Sequence, residues 1–171
     1  MDVCGWDWGA IATFTGAGVA LCISKEWRNQ KGKEVLANEA KSIINDLNLI
    51  YEKAHKLQDS LLSGNLDKLR SQIKEFVEDR NSIDLNMNLF NTLVEVNFKE
   101  KDIKLEKFKQ LHMNATYQLV GKINTILEKD NNFIYENQGI IIDERGKYQD
   151  FNIQMKHYIA NYAVYKNPKS A

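Results

Sequence analysis

The chain has 171 residues, 43% of them hydrophobic and 27% charged, and its 23 basic side chains balance 23 acidic ones. A formal net charge of zero argues against a general nucleic-acid binder, which needs a basic excess on one face. The one proline, Pro168, leaves nothing before Asn167 that forbids helix, so the chain reads as all-α.

The first predicted element is the apolar stretch over residues 6–27, after a short tail at 1–5. No charged side chain occurs from Trp8 to Ser24. Trp8 to Trp27 spans about 28 Å as a helix, close to the ~30 Å core of a bilayer. Trp6 and Trp8 at one end and Trp27 at the other sit where tryptophan prefers the headgroup interface. Lys25, Arg28, Lys31 and Lys33 follow, opposed only by Glu26, whereas the preceding residues carry Asp2 and Asp7. The expectation is a single transmembrane helix with its N-terminus outside and the rest cytoplasmic, by the positive-inside rule. An acidic start does not fit a cleaved signal peptide. The missing charged face does not fit an amphipathic surface helix, and a buried core helix would carry polar residues at helical spacing. Two rows of small residues, Gly9–Thr13–Ala17 and Ala12–Gly16–Ala20, make a face on which another helix can approach closely. The same glycines and threonines dilute the strong apolar residues Ile11, Phe14, Val19, Leu21 and Ile23.

Residues 28–33 form a basic juxtamembrane strip suited to anionic headgroups. Whether this strip is a hinge or unbroken helix depends on Gly32, which costs about 1 kcal/mol in a helix without forbidding it. The bundle is expected over 34–166. Leu36, Ala40, Ile43, Leu47, Ile50, Ala54, Leu57 and Leu61 repeat at strict 4-3 spacing, a seam of nearly four heptads. Gly64 suits a helix C-cap, and Asn65 or Asp67 the next N-cap. Leu66, Leu69, Ile73, Phe76, Ile83, Met87, Phe90 and Val94 hold one phase across Arg80, which predicts one helix over 67–98 with a polar notch. The short loop makes the two helices an antiparallel hairpin.

Lys99 to Lys109 interleaves acids with bases and reads as a solvated face. Leu105, Phe108, His112, Ala115, Leu119, Ile123, Ile126 and Leu127 predict a third helix to about Lys129. Residues 131–147, with Gly139 and Gly146 around Ile140–Ile142, read as a loop that packs its isoleucines on the bundle. A short last helix follows over 148–165, with Phe151, Met155, Tyr158, Ile159 and Tyr162 on one face. Pro168 opens a frayed tail at 167–171.

The sequence carries no recognisable catalytic pattern. Glu52 and His55 make one Glu-x-x-His, but carboxylate-bridged di-metal bundles need two. His112, in a seam position without an acid at i±3 or i±4, reads as a hydrogen-bonded core histidine. Cys4 and Cys22 are about 27 Å apart on a helix, too far for a disulfide. No nucleotide-binding or nucleophile motif is present. The sequence therefore implies no catalytic, metal or cofactor site. It implies a non-enzymatic, single-pass membrane-anchored scaffold whose partners are the lipid bilayer and either itself or another protein through the helical bundle. The alternative is a small oligomerising membrane effector of pore-forming or toxin type, with Thr13 and Thr15 lining a polar interior.

Overall fold

The structure, a computed structural model, describes residues 8–99, 102–128 and 138–164, with side chains from residue 18 onward in the first helix. Four helices account for the described residues: α1, Trp8–Leu62; α2, Leu66–Phe98; α3, Ile103–Leu127; and α4, Gln138–Ala163. They pack as an up-down-up-down bundle. α1 lies against α2 and α4, α3 lies against α4, and α3 touches α2 less extensively. The three residues between α1 and α2 leave those two helices no choice but to be antiparallel neighbours.

The seam read from the sequence is the core. Leu36, Ala40, Ile43, Leu47, Ile50, Ala54, Leu57 and Leu61 are all buried, as are Phe76, Met87, Phe90 and Val94 of α2. Gly64 takes a positive φ of 69° at the first turn, where a Cβ would be strained. Asn65 caps α2, its side chain accepting from the Lys68 amide at 3.2 Å. The polar notch does not break α2: Arg80 is buried in the seam and the helix continues through Asn81 and Ser82.

α1 has 55 residues, about 82 Å of helix. It passes through Gly32 without a break, so the basic strip is continuous helix and not a hinge. A Cβ at Gly32 would run into Oδ1 of Asn97, which shows how closely α1 and α2 approach there. N-terminal to Gly32, α1 leaves the bundle as an arm about 36 Å long. Every residue of the arm from 18 to 31 is exposed.

Two expectations change. Among the described residues no helix is long and apolar enough to cross a membrane, so the transmembrane helix expected over 6–27 is not found as one. Its glycines and threonines lower the mean hydropathy, and Lys25 closes the stretch. The second change concerns residues 138–147. They open α4 and do not form a loop; residues 129–137 lie outside the described ones. The expected short last helix has 26 residues. Ile141, Tyr148, Asn152, Met155, Ile159 and Tyr162 are its buried row, and with half-buried Arg145 they keep 4-3 spacing. Burial of Ile141 and Tyr148 outweighs the cost of Gly139 and Gly146, about 1 kcal/mol each.

Candidate functional site

The arm of α1 departs from ordinary protein surface. Val19, Leu21, Ile23 and Trp27 are between 53% and 70% exposed, and none belongs to the core cluster. Scattered exposed apolar residues are normal; here they follow one another along a projecting helix that is uncharged up to Ser24. Lys25, Arg28, Lys31 and Lys33 are exposed at its root. Lys31 pairs with Glu34 at 2.9 Å. Of the expected association face, Gly9, Ala12, Thr13, Gly16 and Ala17 are helical, and Ala20 is exposed. Trp8 starts α1, and Trp6 lies outside the described residues.

At its root the arm borders a groove of about 490 Å³ against the last turns of α2. Arg28, Lys31, Gly32 and Val35 line one wall, and Leu93, Val96, Asn97 and Lys99 the other. Sequence reasoning places Lys99 in a bland mixed-charge segment. Only the antiparallel α1–α2 packing brings it beside the basic strip, a non-local fact that no local pattern carries.

Several polar groups are bound into the bundle's interior. Asp102, fully buried, caps α3 by accepting from the Lys104 and Leu105 amides at 3.0 and 3.1 Å. Its carboxylate also accepts from the hydroxyl of Tyr158 at 2.8 and 2.9 Å and from that of Tyr162. One side chain thus fastens the α2–α3 turn to the C-terminal end of α4. Burial, then the bond to Asp102, pushes both phenols above their ordinary range. His112 shares a hydrogen bond with the Tyr148 hydroxyl at 3.1 Å, the core role expected of it. Burial, helped by Arg80, pushes His112 down to about 4, so it is neutral at pH 7. Burial pushes Tyr148 up.

Arg80 faces Asp84 at 2.6 Å and donates to Asn81 at 3.0 Å. Its guanidinium also lies 5.1 Å from the centre of the Tyr117 ring, within cation–π range. His55, the histidine of the single Glu-x-x-His, accepts from Arg145 of α4 at 2.5 Å. Burial and then Arg145 lower its pKa. Asn152 donates to the Leu47 carbonyl at 2.8 Å and ties α4 to α1. These groups hold helices together. Among the described residues no three His, Cys, Asp or Glu side chains are grouped so as to hold a metal.

Comparison with protein-family models, curated proteins and solved structures returns no match.

Proposed function

We propose that this chain is a non-enzymatic helical interaction protein, held at a membrane by the arm of α1 and offering its bundle to partners. The observation that carries the reading is the arm itself. It is uncharged from Trp8 to Ser24, exposed in every residue from 18 to 31, and rooted in Lys25, Arg28, Lys31 and Lys33. Its apolar side chains Val19, Leu21, Ile23 and Trp27 stay exposed, which favours an apolar environment or a neighbouring helix as their cover. Its hydropathy falls short of a self-sufficient span. Residence in a bilayer would then lean on contact between copies, for which the rows Gly9–Thr13–Ala17 and Ala12–Gly16–Ala20 are suited. The proposal is thus a single-pass, self-associating anchor with the bundle on the cytoplasmic side, the side the basic strip selects.

The weak hydropathy also favours one second reading, a membrane-perturbing effector whose associated arms expose Thr13 and Thr15 to a water-filled path. Flotation of the full chain on lipid vesicles tests the main reading. The protein is expected to float. The variant Leu21→Asp/Ile23→Asp should stay at the bottom while keeping its helical circular dichroism, because neither side chain is in the core. A full chain that stays at the bottom with the variant contradicts the reading. Release of a trapped dye by the floating protein would shift it to the effector.

A further inference from the structure

We propose that the groove between the root of the arm and the end of α2 seats the phosphate of an anionic phospholipid headgroup, with Lys99 as the ligand that completes it. The inference rests on the membrane reading above and adds to it a defined contact made by the bundle.

The groove combines the two chemistries found at a headgroup boundary. Arg28 and Lys31 on α1 and Lys99 after α2 supply positive charge, while Val35 and Val96 are exposed apolar residues on its two walls. Lys31 already has Glu34 as a partner at 2.9 Å, so the attraction for an added anion comes chiefly from Arg28 and Lys99. Asn29 adds an amide group, whereas that of Asn97 donates to the Leu93 carbonyl at 2.8 Å. The carbonyl end of α2 opposes an anion, and Lys99 sits where it offsets that end. The groove also lies at the right level. It begins at the foot of the uncharged arm, next to exposed Trp27, where headgroups would stand if the arm were in lipid.

The backbone of Lys99 adds an independent observation. It has φ 55° and ψ 27°, the left-handed conformation of a helix C-cap, and is the one described non-glycine residue with positive φ. Glycine or asparagine is the usual occupant of such a position. A lysine there is held against backbone preference, which is accounted for if its charge is used.

That conformation supplies a variant that separates charge from folding. Lys99→Gly removes the ammonium and relieves the backbone, so the bundle should melt no lower than the parent. Partitioning of the full-length protein is measured into vesicles of phosphatidylcholine alone and of phosphatidylcholine mixed three to one with phosphatidylglycerol. The parent is expected to prefer the anionic vesicles. Lys99→Gly should lose about five-fold on them, the effect of one basic residue at an anionic surface, and should match the parent on neutral ones. Adding Arg28→Gln should bring the loss to roughly 25-fold. An anionic preference that Lys99→Gly leaves unchanged overturns the groove while the arm's membrane role stands. Absence of binding to both vesicles overturns the membrane reading and the groove with it.

Discussion

Residues 8–31 and 36–61 belong to the same unbroken helix and have opposite relations to the rest of the molecule. The second segment buries a 4-3 seam against α2 and α4. The first is exposed in every residue from 18 to 31, although it is the more apolar of the two in sequence. Apolar content alone therefore does not decide what packs in the core. A facing partner does: Leu36 to Leu61 places its apolar residues on one stripe facing two neighbours, whereas Val19, Ile23 and Trp27 share a face, with Leu21 roughly opposite, and remain exposed. A helix apolar all round asks for an apolar surrounding, and the bundle provides one only on one side.

The sharpest break in this comparison comes from truncating each segment's neighbourhood. Phe76→Ala, at a fully buried α2 position facing the seam, should cost about 3–5 kcal/mol in chemical denaturation. Leu21→Ala on the arm should change the same midpoint by no more than roughly 0.5 kcal/mol. A large loss at Leu21 would mean that the arm packs within the fold.

The next effect is pH dependence confined to the bundle. The folded-state pKa of His112, about 4, lies below its ordinary 6.5. As pH falls below about 6.5 the unfolded chain takes up the proton first. Stability is therefore lost between about 6.5 and 4, and this contribution is flat outside that window. The full effect is roughly 3 kcal/mol. Burial raises the Asp84 carboxyl, which acts in the opposite sense at acid pH. Comparison with His112→Leu isolates the histidine, and the variant should have a flatter profile from pH 6.5 to 4. An unchanged profile would mean that His112 is not buried neutral.

A smaller loss is expected at the arm-side end of the bundle. Asp102→Ala removes an N-cap and leaves the buried Tyr162 hydroxyl without its acceptor, at a cost of about 2 kcal/mol in thermal or urea unfolding. Smaller still, Gly64→Ala forces a side chain into positive φ at the far turn and should cost about 1 kcal/mol. A neutral result at Asp102 would show that the turn is not fastened through it.

Most of the bundle was legible in the sequence because its seams are written in aliphatic residues at constant phase. The α1 and α2 cores, the Gly64 turn and the Asn65 cap follow from local pattern. The beginning of α4 was not legible, because Arg145 and Asn152 occupy seam positions and hide the row that Ile141 starts. Those two polar residues are tolerated there because His55 and the Leu47 carbonyl, far away in sequence, receive them. Asp102 was equally obscure: within KEKDIKLEKFK it is one charge among many, and its tyrosine partners lie 56 and 60 residues on. The groove was hidden for the same reason, since Lys99 comes to the same groove as Arg28 only through helix packing.

The most direct measurement uses the arm's own thiol. Cys22 is exposed, so a fluorescent label can be placed on it once Cys4 is changed to serine. A second sample carries the label at Leu49→Cys, an exposed bundle position, in a protein whose Cys4 and Cys22 are both serine. With vesicles present, quenching by an aqueous quencher should fall strongly for the label at Cys22 and hardly at all for the label at position 49. Equal quenching at both positions, with and without vesicles, would contradict the claim that the arm is the membrane-docking part of the molecule.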